Sequence, residues 1–222
     1  MSYALDFGWL NEALEPILQG ALATIFLTAV TAVLGTICSI LGAMAARSGS
    51  VALRGAIEAY VELIRNTPFL VQLFFIFFGL PSLGLRLDAT VAAILAMTIN
   101  LSAYGTEIVG AGLDAVSRGQ REAGQALGLR PRLVFLKIVL PQALRVIFPA
   151  LTSQVVIMML ESAVVSQIAV RELTYQADML QARTFRAFET YLVVTGVYLG
   201  MSVVLRRLMV QGGRKLLAGG VS

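Results

Sequence analysis

Histidine is absent from the 222 residues, cysteine occurs once, at Cys38, and the only lysines are Lys137 and Lys215. These absences remove whole classes of chemistry. Without histidine there is no Ser-His or Cys-His nucleophile pair and no imidazole ligand for zinc. A single thiol closes no intrachain disulfide and builds no paired-cysteine metal site. No catalytic constellation and no metal site is therefore expected. Neither lysine follows a glycine, so the GxxxxGK[ST] phosphate loop is missing. Charge is scarce too, at 14% of residues against about 25% in an ordinary soluble domain.

What is abundant is apolar. Hydrophobic residues make up 58% of the chain and the mean hydropathy is +0.82. They come in uncharged blocks at 16–46, 66–85, 89–106, 146–160 and 190–205. A membrane-spanning helix needs about 20 mainly apolar residues at ~1.5 Å rise each. The chain reads as an all-α polytopic membrane protein, a single transmembrane domain over 1–222. Five spans are expected at about 21–46, 57–80, 88–113, 139–160 and 187–206, with a loop at about 114–138. The first apolar run is longer than a signal-peptide core of about 7–15 residues and its flank is acidic, so no cleavable signal is expected.

The basic residues orient the chain. Eleven lie on one set of alternating sides: Arg47 and Arg54, then Arg118, Arg121, Arg130, Arg132 and Lys137, then Arg206, Arg207, Arg214 and Lys215. Four lie on the other: Arg86, Arg171, Arg183 and Arg186. The positive-inside rule then puts the N-terminus outside and the tail in the cytoplasm. Topology thus accounts for the +4 net charge, and no nucleic-acid partner is expected. An odd number of spans disfavours an inverted repeat within one chain. A pore would need a second copy or a related chain.

The third connection reads SRGQREAGQALGLRPRLVFLKIVLP from Ser117 to Pro141. Ser117 with Gln120 is a capping-box pattern, and Gly128 suits a left-handed helix end. The short helix between them carries small residues at Ala123, Gly124 and Ala126, which would let another backbone approach closely. An amphipathic helix lying on the lipid surface is the competing reading.

Inside the spans, polar groups are costly and usually face an interior. Glu58, Glu62 and Arg65 share one helical face, and Glu107 is placed for an ion pair near the loop. Arg145 is placed to snorkel to the inner surface. Glu161 follows an uncharged run, with Gln154 two turns back on its face and Ser162 and Ser166 after it. It either lines a water-filled path or sits at the outer surface, solvated or paired with Arg171. Thr98 and Asn100 do not share a face, and Asn100 suits a bond between helices. Pro141 fits a first helical turn and Pro149 a kink. The aromatic run at 74–78 reads as lipid-facing bulk.

The spacing Glu122-Ala123-Gly124, Gly128, then Ile138-Val139-Leu140-Pro141 resembles the EAA loop of ABC importer permeases, with Gly124 in place of the second alanine. The segments YVELIRNTPFLVQ from Tyr60, SAYGTEI from Ser102 and LPQALR from Leu140 are similar to those of polar amino-acid permeases of the histidine/glutamine/arginine type. The resemblance implies a type I importer permease fold in a bacterial inner membrane, and an ATP-driven importer of a polar amino acid or related small solute. It implies that Glu122, Ala123, Gly124, Leu127 and Gly128 dock a separate ATPase, which holds ATP and Mg. It implies a second permease copy or relative, an extracytoplasmic substrate-binding protein and surrounding lipid as partners. Glu161, Gln154, Ser162, Asn100 and Thr98 are the candidates for the solute pathway. The chain departs from the family's common residues at Ser117 (often proline), Ser153 (often asparagine) and Glu161 (commonly lysine), so the charge at the last position is reversed. A stand-alone secondary transporter or channel is the alternative, and would need carboxylates at mid-depth of several spans. A purely structural scaffold would leave the loop spacing unexplained.

Overall fold

A computed structural model describes residues 5–218, so the chain ends at Ser2 and Ser222 lie outside the described residues. Among these, every regular element is helical. In order they are α1 (Leu10–Ala46), α2 (Val51–Arg65), α3 (Phe69–Phe74), α4 (Ala89–Asp114), α5 (Arg118–Ala126), α6 (Pro131–Val134), α7 (Leu140–Glu161), α8 (Leu173–Thr184) and α9 (Ala187–Ala218).

Four segments are long and apolar enough to cross a bilayer: Leu10–Ala46, Ala89–Asp114, Pro131–Ile168 and Ala187–Lys215. The segment read as one span over 57–80 is a bent pair of helices, Val51–Arg65 and Phe69–Leu83, which meet at 108° and together are long and apolar enough to make the fifth span. Pro68 is the physical cause. Proline disfavours helical backbone in the residue before it, and Pro68 itself is extended, with ψ 138°. Hydropathy misses such a bend because the uncharged run 66–85 passes straight through it.

Two further prolines reshape helices without breaking them. A π-turn at Phe75–Gly79 precedes Pro81, and another at Phe135–Val139 precedes Pro141 by the same interval. The carbonyls of Phe77 and Lys137 would look to the N–H of residues 81 and 141, which proline lacks. A wider i→i+5 turn relieves this, and the Leu140 N–H indeed bonds Phe135 O. The helical segment that carries the fourth span accordingly begins at Pro131 and runs on through α7 into a 3₁₀ turn, Ser162–Ile168.

The bundle is organised around α1 and α4. Buried positions on α1 are mostly small: Gly20, Thr24, Thr28, Thr31, Gly35, Ser39 and Ala43, at three- and four-residue spacing. In lipid, helices associate through close packing of such stripes, not by a hydrophobic drive. A side chain at Gly35 would lie 2.7 Å from Leu101 of α4. Around this seam Leu73, Met97, Leu101, Val155, Met158 and Val165 form the main core, joining α3, α4 and α7. Outward positions such as Leu22, Phe26, Val33, Ile37 and Leu41 are exposed apolar residues, suited to lipid. The aromatic run divides: Phe75 and Phe78 are exposed, whereas Phe74 and Phe77 pack on the core.

Candidate functional site

The loop after α4 is held by short-range devices. Ser117 precedes α5, but its side chain makes no capping bond; only its carbonyl receives the Gln120 N–H, at 3.1 Å. The capping box expected from sequence is therefore not formed. The other end closes as a Schellman motif: Leu129 N–H bonds Gly124 O at 3.2 Å, and Gly128 N–H bonds Gln125 O at 2.9 Å. This demands positive φ at Gly128, where φ is 75°.

The loop candidates separate into two faces. Glu122, Ala123, Leu127 and Gly128 are exposed. Gly124 is buried and points inward, where a Cβ would meet Ile138 Cδ1 at 2.7 Å and Val134 at 3.1 Å. Gly124 thus seats α5 on this chain's own fourth span and does not belong to the outer face. Glu122 accepts from Arg118 Nε at 2.9 Å in an exposed i,i+4 pair. Leu127 is 79% exposed and is the one large apolar side chain between residues 118 and 128. One leucine is too little apolar surface to hold a helix in a lipid interface. It is suited to an apolar anchor in a protein pocket.

The second group lies within the bundle. Asn100 of α4 is buried and donates to Gln72 Oε1 at 3.0 Å. Gln72 had not been singled out from sequence, yet it is the hub. Its amide nitrogen reaches Ile64 O at 2.7 Å, Thr67 Oγ1 at 2.9 Å and Thr67 O at 3.0 Å. It thereby satisfies carbonyls freed by the break between α2 and α3 and ties that break to α4. Tyr60 is a second tie, with its hydroxyl 2.7 Å from Ile99 O and 2.6 Å from Ser102 Oγ.

Three pathway candidates carry buried polar atoms with no hydrogen-bond partner among the described residues: Thr98 Oγ1, Asn100 Oδ1 and Glu161 Oε2. Buried polar groups are nearly always bonded, so such atoms call for water, a ligand or another chain. Glu161 does not pair with Arg171: neither forms an ion pair among the described residues. Ser162 is fully buried and bonds Met159 O at 2.6 Å, which turns its hydroxyl to its own backbone. Gln154 is half-buried on α7.

Between α2 and the C-terminal half of α4, a cleft of about 740 Å³ is lined by Arg47, Glu58, Glu62, Arg65, Tyr104 and Glu107 among others. Arg65 forms an ion pair with Glu107 and stacks 5.4 Å above the Tyr104 ring. Glu58 pairs with Arg54 at 3.6 Å. Arg65 and Glu107 are thus partners across α2 and α4, whereas Glu58 and Arg54 pair within α2.

Glu172 is another residue that charge counting undervalued. It is wholly buried at the junction of α1, α8 and α9. Its carboxylate caps α8 by accepting Tyr175 N–H at 2.8 Å and also accepts the Tyr198 hydroxyl at 2.7 Å. The clue in sequence was a glutamate directly before an apolar 173, 177, 180 spacing.

The family described as "Binding-protein-dependent transport system inner membrane component" matches residues 38–216. The chain is 40% identical over 147 residues to the "Probable glutamine ABC transporter permease protein GlnM" of Bacillus subtilis (strain 168), covering 66% of this chain and 68% of that one. It is 35% identical over 181 residues to the "L-cystine transport system permease protein TcyB" of the same organism, covering 81% and 77%. A solved structure described as an amino acid ABC transporter with histidines superposes with a TM-score of 0.89. It is 34% identical, over 96% of this chain and all of that one.

Proposed function

The chain belongs to the family of binding-protein-dependent transport system inner membrane components, and on that premise we propose that it carries a polar amino acid or related small solute into the cytoplasm. It is a multi-pass inner-membrane permease subunit with the type I ABC importer fold, not itself an enzyme. ATP and Mg would be held by a separate ATPase, and a second permease, identical or related, would complete the pathway. A substrate-binding protein would deliver solute from outside. The similar glutamine and cystine permeases support the solute class.

The observation that carries the coupling role is the exposed face of α5: a stiff helix closed at Gly128 and presenting Ala123 and Leu127, with Gly124 anchoring it beneath. Glu122, Ala123, Leu127 and Gly128 would enter the ATPase, and Gly124 would set the angle at which they do. The eleven-to-four distribution of basic residues supports placing this face in the cytoplasm. The unpartnered oxygens of Glu161, Asn100 and Thr98 support a polar path through the bundle, with Gln154 beside it. A carboxylate there would attract an ammonium or guanidinium group.

The Gly128→Asp variant tests the coupling role. Aspartate tolerates left-handed backbone better than most residues, so the helix end should survive while the docking tip gains a charge. The subunit should insert normally, lose ATPase on co-purification and lose most uptake. Normal association together with normal uptake would refute the docking role.

A further inference from the structure

Three elements converge beside the loop: the end of α1, the end of α4 and the first turns of α5. Arg47 directly follows α1. Its Nη2 donates to Gly110 O of α4 at 2.8 Å and meets Asp114 Oδ2 at 2.5 Å, while its Nη1 holds Ala43 O of its own helix at 3.3 Å. From the other side, Arg121 of α5 reaches back over the connection and donates to Leu113 O at 2.9 Å. Both guanidinium groups line one groove of about 420 Å³ with Leu113, Asp114, Phe135 and Val139.

This arrangement answers a local electrostatic problem. The last carbonyls of a helix lack intrahelical donors, and a carboxylate at that end opposes the helix dipole. Asp114 is the last residue of α4, so the α4 terminus is doubly electronegative. Two guanidinium groups neutralise it, and each belongs to a different neighbour. Gly110 gives the Arg47 contact room, since a Cβ there would lie 3.0 Å from both terminal nitrogens and push the guanidinium aside by a few tenths of an ångström.

We propose that Arg47 and Arg121 clasp the end of α4, so that α1, α4 and α5 move as one body when α5 is displaced. The proposal deepens the coupling role given above and rests on it for the source of the displacement. The connection from α4 to α5 is only residues 115–117, whereas α1 reaches α5 only by packing on α4, and Arg47 fastens the end of α1 to the end of α4 beyond their packed seam. Arg47 is a positioning residue: it touches neither solute nor nucleotide.

The test follows the separation of α1 and α5 by spin labels at Met44→Cys and Gln120→Cys, both exposed, in a Cys38→Ala background. It uses the whole complex with its ATPase in lipid, without nucleotide and then trapped with ATP and vanadate. In the wild type the label separation should be the same in both states. In Arg47→Gln, and to a smaller degree in Gly110→Ala, a second separation should appear on adding nucleotide. Alanine is the best helix former, so Gly110→Ala keeps α4 intact and decides the matter if Arg47→Gln fails to insert. A residue with a purely structural role would lower thermal stability without any nucleotide-dependent shift. A shift in the wild type as large as in the variants would overturn the clasp, as would no shift in either variant. If no ATPase co-purifies with the wild type, the coupling role fails and the clasp is judged separately. The distance distribution in the permease alone should then be narrow in wild type and broad in both variants; equal widths would overturn it.

Discussion

Replacing Gln72 by leucine removes polar chemistry from the broken second span while nearly conserving volume. The structure sets the expected size. Gln72 is the sole side-chain donor to Thr67 O and holds the Asn100 amide across to α4. Leucine would leave the buried Asn100 amide and the half-buried Thr67 carbonyl without this partner, and would remove one of the donors on Ile64 O. Each orphaned buried group costs about 1–3 kcal/mol, so a loss of about 2–4 kcal/mol is expected. Asn100→Leu should cost less. It orphans one acceptor, Gln72 Oε1, but also removes Asn100 Oδ1, which already lacks a partner. The difference between the two variants should therefore be about 1–2 kcal/mol. The double variant isolates the direct bond, for which interhelical hydrogen bonds in membranes average about 0.6 kcal/mol. Reversible unfolding in mixed micelles, titrated with a denaturing detergent, measures all three. A Gln72→Leu cost no greater than that of Asn100→Leu would refute Gln72 as the hub of the break.

Three other predictions bear on the path, the buried carboxylate and the topology. Glu161→Gln should reduce uptake of a cationic amino acid by about tenfold or more, since hydrogen bonds to charged groups are worth about 1.5–3 kcal/mol, while expression and ATPase association persist; undiminished uptake would place Glu161 off the path. Burial pushes the Glu172 carboxyl up, against opposing bonds from the Thr174 and Tyr175 N–H groups and the Tyr198 and Thr24 hydroxyls. With its folded value raised, its contribution is full below the unfolded value of about 4.3 and is lost as pH rises through the folded value. Thermal unfolding of Glu172→Gln relative to wild type should accordingly improve from about pH 4 to pH 7, and a pH-independent difference would contradict this. Leu83→Cys should react with a membrane-impermeant thiol reagent applied to intact cells in a Cys38→Ala background, and Gln120→Cys should not; labelling of both would break the orientation.

Much of this architecture was legible along the chain because lipid imposes a one-dimensional rule. Uncharged stretches of about 20 residues cross, and arginine and lysine counts between them predict the sides. The glycine that closes α5 was readable too, since its left-handed turn is a local backbone property at Gly128. Capping by Ser117 was equally local in principle, yet the hydroxyl found no use because the turn closes through its carbonyl instead.

Tertiary structure alone decided the rest, and the reason is distance along the chain. Gln72 and Asn100 are 28 residues apart, Arg47 and Asp114 are 67 apart, and no periodicity links them. They meet because the small residues of α1 let α4 come close, and because Thr67-Pro68 folds α3 back against α4. Gly124 faces inward for the same kind of reason: α5 has to rest on something, and Ile138 and Val134 of the fourth span are what the chain places beneath it. Sequence thus determined which segments enter the membrane and which stay outside it, through hydropathy and charge. Only packing determined which polar groups find each other inside, because within lipid an unpaired polar atom is costly and its partner is chosen by the geometry of neighbouring helices.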